Sequence, residues 1–403
     1  MKKFFLFCMI ALVGMCGLNS CSDDCNHDFI EHDFTNELVG TWTYVNGEQA
    51  EAMVIKADGS FTTTGVMIHG ALYEEKGTIK VVNNKVTLAF DGDTDEFEGR
   101  LEFVAGKSLS LVMFDDNNVR LTYDYCDKDL SDEIVGMWVC NDAKDNMRIH
   151  SFDENGNAVF TGWSEHLGEF SVLENSNYKV VGDLIFQGFS NGEKYIASKL
   201  VYDPNGNAYG NIMLFKHCLF DGTESVQSWL RVKQNLNLAG KAYDYSATYI
   251  SNAKGEDKDV PFLNTSFNFA KMDGSIIDKF LKSTLFSVEF PDANTFKYSF
   301  LVGGQNTSMT APIEVEGNKM TIKMSENNPA LHDVEVYTFQ DQDNTQMHLF
   351  MPTASFEKFF ANTSVYVMLG NGQLDENDAE AIAGVYKTLA DAVESINLSI
   401  IMK

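Results

Sequence analysis

Leu38-Val39-Gly40-Thr41-Trp42 opens a pattern that returns as Ile134-Val135-Gly136-Met137-Trp138. A weaker third copy reads Leu238-Ala239-Gly240-Lys241-Ala242-Tyr243, with Ala where the first two carry Trp. The three glycines stand 96 and then 104 residues apart. That interval is too long for a solenoid repeat and suits small tandem domains. A chain of 403 residues has room for two to three of them.

Each of the first two copies opens a run of about eight short strands, a count read from alternation and turn residues. In the first they are expected at 41–45, 52–56, 60–64, 77–82, 85–90, 97–104, 107–114 and 118–123. Asp58-Gly59 and Asn83-Asn84 supply hairpin turns between apolar alternations. The second copy repeats the plan at 137–140, 147–152, 158–163, 169–173, 178–186, 194–202, 208–215 and 228–233, with turns at Asn155-Gly156 and Pro204-Asn205-Gly206. An up-and-down meander of this length closes most economically into a barrel, because closure removes exposed strand edges.

Gly-x-Trp on a first strand, with an Arg on the last, resembles the lipocalin or calycin superfamily. The residues that carry the resemblance are Gly40, Trp42 and Arg120 in the first unit, and Gly136, Trp138 and Arg231 in the second. The resemblance covers residues 36–233 and implies that each Arg packs over its indole at the closed end of a barrel. Such a cation–π contact contributes about 0.5–2 kcal/mol. The expected fold class is all-β: three tandem small antiparallel lipocalin-like barrels, the third with added helices. The expected segments are 1–20 (signal peptide), 21–35 (lipidated tether), 36–127, 128–234 and 235–403.

The third unit departs from the motif, since no Arg follows 231. Strands are expected at 265–269, 286–290, 295–301, 319–324, 333–339, 346–351, 364–369 and 397–402, with short helices at 275–281 and 355–360. Ile382, Val385, Tyr386, Leu389 and Val393 recur at three and four residues and mark a C-terminal amphipathic helix over 378–395, capped by Asp375 or Asn377.

The N-terminus is an address. Lys2-Lys3, an apolar run from Phe4 to Val13 and a small residue before Cys21 have the layout of a secretory leader. Leu18-Asn19-Ser20-Cys21 resembles the bacterial lipobox, so Cys21 is the expected lipid-attachment residue; Gly14-Met15-Cys16 is a poorer match. Ser22-Asp23-Asp24 resembles the surface-export tag of Bacteroidetes lipoproteins. The expectation is anchoring to outer-membrane lipid through acylated Cys21, exposed at the cell surface.

With 30 Lys+Arg against 58 Asp+Glu, the net charge is −28, which repels nucleic acid and anionic headgroups. A 44% hydrophobic, 12% aromatic composition with six prolines builds packed cores rich in strands.

No arrangement of residues announces catalysis. Gly188-Phe189-Ser190-Asn191-Gly192 matches the nucleophile-elbow spacing, yet a strand is expected after it where a helix is needed, so a hairpin turn is the better reading. Asp91, Asp93, Asp95 and Glu102 match calcium-loop spacing, but Glu96 stands where the loop needs Gly. Cys25, Cys126, Cys140 and Cys218 form no Cys-x-x-Cys; an exported chain permits disulfides, and free thiols stay open as well. His27 and His32 read as solvated tether residues, and His150, His166 and His217 as strand or loop residues. Met347-His348-Leu349-Phe350-Met351 reads as core packing before it reads as a pocket wall.

The resemblance and the address together imply a non-enzymatic surface lipoprotein that takes a small apolar or amphipathic ligand, or a glycan, at a barrel mouth, without cofactor or metal. The alternative is a protein-interaction scaffold with filled barrels. An enzyme is the third reading, to be revived by a buried cluster of titratable groups.

Overall fold

In the computed structural model the described residues are 34–67, 70–114, 120–140, 148–164, 169–189, 193–203, 212–217, 226–233, 235–255, 259–262, 265–268, 279, 281–302, 304–341 and 346–402. The leader, Cys21 and the tether up to residue 33 lie outside them.

The first barrel follows a 3-10 turn at Phe34–Leu38. Its strands are β1 (Gly40–Val45), β2 (Gln49–Ile55), β3 (Ser60–Met67), β4 (Leu72–Val82), β5 (Lys85–Phe90), β6 (Glu96–Val104), β7 (Ser108–Met113) and β8 (Arg120–Cys126). Each pairs antiparallel with the next, and β8 closes onto β1 with Tyr125 opposite Trp42. Asn83 and Asn84 both have positive φ, as the tight turn between β4 and β5 requires. Alternation sends Trp42, Met53, Ile55, Phe61, Ile79 and Leu111 into one buried interior.

The second barrel comprises β9 (Gly136–Cys140), β10 (Arg148–Phe152), β11 (Asn157–Ser164), β12 (Glu169–Val181), β13 (Leu184–Phe189), β14 (Lys194–Asp203), β15 (Ile212–His217) and β16 (Val226–Val232). The sheet closes from β16 onto β9. The break expected between residues 173 and 178 is not there. β12 runs through it, a register shift between Phe160 and Thr161 takes up the irregularity, and the turn comes at Gly182, whose φ is +64°.

The third barrel takes β17 (Lys241–Gly255), β20 (Ser287–Asp292), β21 (Thr295–Val302), β22 (Gln305–Glu316), β23 (Lys319–Ile322), β24 (Val334–Gln340), β25 (Met347–Met351) and β26 (Val393–Met402). A separate hairpin of β18 (Asp259–Phe262) and β19 (Thr265–Asn268) follows β17. A single helical turn, α1 (Met324–Asn327), precedes β24, and α2 (Thr353–Gly370) and α3 (Ala379–Ala392) lie between the last two strands.

The strand expected at 364–369 is the last third of α2. Val365, Tyr366 and Val367 favour strands locally, but burial of the helix overrides that preference. Phe356, Phe360, Ala361 and Val365 of α2 join one core with Val288, Phe296 and Met347 from the barrel. Asp378, rather than Asp375 or Asn377, accepts the Ala381 N–H at the start of α3. The helix expected at 275–281 falls largely outside the described residues.

The chain divides into two compact units. One gathers the described residues of Met1–Ser131, Lys179–Lys199 and His217–Glu224; the other gathers Asp132–Tyr178, Leu200–Lys216 and Ser225–Lys403. Within the first, Ala50, Ala52 and Val66 on the outer face of β2 and β3 pack on Leu184, Phe186, Tyr195 and Ala197. Within the second, Met137, Val139 and Val232 pack on Tyr337, Phe339 and Phe350.

Candidate functional site

The repeated motif builds the barrel floors. The Trp42 indole N–H donates to the Leu38 carbonyl at 2.8 Å, and the Trp138 N–H to the Ile134 carbonyl at 2.7 Å. Both indoles are wholly buried. Arg231 lies opposite Trp138 across β16 and β9, with its guanidinium carbon 5.6 Å from the indole centre and Nη2 donating to the Val135 carbonyl at 2.5 Å. Gly136 leaves the room: a Cβ there would stand 3.2 Å from Arg231 Nε, on a backbone with φ of +135°.

In the first barrel the expected partner is the wrong residue. Arg120 is exposed at the start of β8, opposite Val112, and donates to Glu102, which also meets Arg100 at 3.0 Å. The position across from Trp42 belongs to Tyr125, five residues further and so about 16 Å along the strand. Its ring meets the indole edge-on at 5.1 Å, and a Cβ on Gly40 would strike it at 2.7 Å. Tyr125 here does what Arg231 does in the second barrel. In the third, buried Tyr243 replaces the indole, and its hydroxyl accepts from Gln340 Nε2 at 2.7 Å.

The opposite end of the first barrel holds a cluster the sequence reading does not single out. Glu51 on β2 shares the inward face with Met53 and Ile55, and its side chain is completely buried. Tyr123 on β8 donates to Oε1 at 2.5 Å, and Tyr73 on β4 donates to Oε2 at 2.5 Å. Gln49 Nε2 adds a longer bond to Oε2 at 3.3 Å and donates to the Tyr73 hydroxyl at 2.8 Å.

Strand register explains how two distant tyrosines converge. Glu51 pairs with Gly65 on β3, and Gly65 pairs with Tyr73 on β4. Because residue 65 has no side chain, the Tyr73 ring lies across β3; a Cβ there would stand 2.3 Å from its hydroxyl. From the other side, Tyr44 pairs with Glu51, and the Tyr123 ring stands 5.5 Å from that of Tyr44.

Burial pushes the Glu51 carboxyl up, and the hydroxyls of Tyr123 and Tyr73 hold it back in part. Burial, with the Glu51 charge added, drives both tyrosines far above their ordinary range. Glu75, two residues from Tyr73 on the same face, is half-buried and likewise raised by burial. Neither carboxylate has an ion pair among the described residues. A buried carboxylate is costly unless charge or hydrogen bonds compensate it. Here hydrogen bonds are present, and among the described residues no cationic side chain pairs with it.

The remaining candidates settle elsewhere. Glu102 is committed to two guanidinium groups, and among the described residues no group of three or more His, Cys, Asp and Glu is placed to hold a metal ion. Ser190, Cys25, Cys218, His27, His32 and His166 lie outside the described residues, as does the side chain of His217. Cys126 and Cys140 are buried, and the Cys126 thiol meets the Lys128 carbonyl at 3.3 Å. His150 lies against Trp229 at 3.9 Å and Phe160 at 4.2 Å. Met347, Leu349 and Met351 join the third core.

No family model matches the chain, and no curated protein does. Among solved structures it is similar to the isotype 1 transferrin binding protein B from serogroup B Neisseria meningitidis, at 10% identity and a TM-score of 0.19. That match covers 88% of this chain and 65% of the other, so the chain spans just under two thirds of the neighbour's length. At that TM-score the likeness carries no argument about fold or partner.

Proposed function

We propose that this chain is an exported, lipid-anchored, non-enzymatic protein that binds a small amphipathic ligand in the mouth of its first barrel. The reading rests on one observation: a fully buried carboxyl held between Tyr73 and Tyr123. The barrel around it grades from a sealed Trp42 floor to half-buried Tyr44, Phe90, Phe97 and Leu121. Apolar walls with a few convergent polar groups suit an amphipathic guest. Address and anchoring come from the leader and Cys21, which favour the outer-membrane surface. Gly-x-Trp in two eight-stranded meanders supports a lipocalin-like assignment.

The buried titratable cluster is the feature that would favour catalysis. It contains no nucleophile–base pair, and its hydroxyls are held far from ionising, so binding is the better use. A scaffold role fits the third barrel, whose interior is occupied by Phe356, Phe360 and Val365 of α2.

Native mass spectrometry of the lipoprotein from its own host tests the reading. A small-molecule adduct that survives desalting and is reduced in Tyr73→Phe supports it. A bare mass from both contradicts it.

A further inference from the structure

We infer that the second and third barrels meet at an acid-opened joint: a proton taken up by His348 parts the two barrels while each stays folded. The inference is independent of any ligand in the first barrel.

The joint is an apolar layer with a histidine in it. Val139, Ile149 and Trp163, on the outer face of the second barrel, share one buried cluster with Tyr337, Phe339 and Phe350 of the third. The Trp163 ring lies 5.5 Å from that of Tyr337 and 5.4 Å from that of Phe350. His348 stands opposite Phe339 and two residues before Phe350, so strand alternation sends its side chain to the same outer face. It is only 4% exposed, and neither ring nitrogen has a hydrogen-bond partner.

The layer gives a protonated imidazole no counter-charge. On this face β24 carries Glu335, Tyr337 and Asp341. Glu335 is paired with Lys319 at 2.8 Å, and Asp341 accepts the Gln346 backbone N–H at 2.9 Å. On β26 the residue opposite His348 is Ile401, and the residues that the second barrel contributes to the layer are uncharged. Burial is the one influence on the imidazole, and it lowers the pKa to about 4. An imidazolium here is a buried charge without compensation.

That charge has two ways to reach water. Unfolding the third barrel breaks its strand ladder and the core under α2. Parting the joint keeps both ladders closed and exposes only the shared layer, so the joint yields first. One edge stays tied. The Lys233 N–H donates to the Gln340 carbonyl at 2.8 Å, the Asn237 N–H donates to Gln340 Oε1 at 2.7 Å, and Gln340 Nε2 donates to the Asn237 carbonyl at 2.8 Å. The barrels therefore swing about the segment after β16.

A cysteine placed in the layer reports the opening. In Ile149→Cys, labelling by dithiodipyridine is resolved by peptide mass spectrometry, and each rate is divided by that of an exposed cysteine peptide at the same pH. Leu230→Cys is the second reporter, from the same cluster. Native Cys140, buried on the Trp138 side of β9, reports opening of the second barrel itself. Between pH 7 and pH 4 the layer rate is expected to rise about a hundredfold while Cys140 stays nearly constant. His348→Leu and His348→Gln each hold the rise below about threefold. A flat layer rate, acceleration of Cys140 in step with the layer, or the same rise in both His348 variants overturns the inference.

Discussion

Arg231 crosses Trp138 from the paired position on the neighbouring strand, its guanidinium carbon 5.6 Å from the ring centre. Tyr125 holds the equivalent place over Trp42. One device, a flat group laid over an indole floor, is thus built from a cation in one barrel and a phenol in the other. Arg231→Ala removes the stacking contact and the bond to Val135. The expected loss is about 1–3 kcal/mol. Chemical denaturation read by tryptophan fluorescence measures it; a change below a few tenths would deny the contact any role in stability.

The glycine under each lid is fixed by geometry. Gly40→Ala forces a Cβ to 2.7 Å from the Tyr125 ring on a backbone with φ of +146°. The expected cost is about 2–4 kcal/mol, of which the steric part vanishes in a Tyr125→Ala background and the backbone part remains. A double-mutant cycle separates the two. Strict additivity would mean that ring and glycine do not meet.

Gly65 holds the mouth cluster together by being small. Gly65→Ala drives Tyr73 off Glu51 and strips a donor from a buried carboxylate, at a cost of about 1–3 kcal/mol. In Tyr73→Ala the same substitution is nearly neutral. Thermal unfolding of the four variants decides it, and an equal cost in both backgrounds would refute the crossing of β3 by the ring.

Much of this fold is legible in residue order, and the failures have physical causes. Gly40-x-Trp42 and Gly136-x-Trp138 place the two floors, and period-two alternation finds the strands around them. Arg120 misleads because charge identifies a candidate while strand register decides the neighbour, and register is invisible without the closing β8–β1 pairing. Glu51 and Tyr73 escape because apolar alternation starts β2 at 52 and β4 at 77, whereas the strands begin at Gln49 and Leu72. Strand ends at a barrel mouth are polar, so their period is muted. Inward parity with Met53 and Ile55 is the signal that would have exposed Glu51. β22 is passed over because Pro312 and its polar neighbours hide the strand.

His348 makes stability depend on pH. Its imidazole is buried on β25 opposite Phe339, neither ring nitrogen meets a hydrogen-bond partner, and burial lowers its pKa to about 4. An unfolded histidine takes its proton near 6.5, so the unfolded state binds more protons between those values. Stability is full above pH 6.5 and falls as pH drops, by about 3 kcal/mol once pH is below 4. His348→Leu flattens that limb of the profile; an unchanged acid limb would show that other groups control it.

Asn362 ties α2 to the segment before β24 and to α3. It accepts the His332 N–H at 3.0 Å, donates to the His332 carbonyl at 2.7 Å and takes the Tyr386 hydroxyl. Asn362→Ala leaves the His332 N–H, the His332 carbonyl and the Tyr386 hydroxyl without this partner at a partly buried site, for about 1–3 kcal/mol. Hydrogen exchange is expected to rise first in α3; uniform loosening of the third barrel would contradict the clamp.

The most direct measurement of the central claim is a crystal structure of the lipoprotein purified from its own host. The account predicts a small amphipathic molecule inside the first barrel, at the end where Tyr44, Tyr73 and Tyr123 surround Glu51. An ordered first barrel with the Glu51 cluster intact and no molecule in it would contradict it.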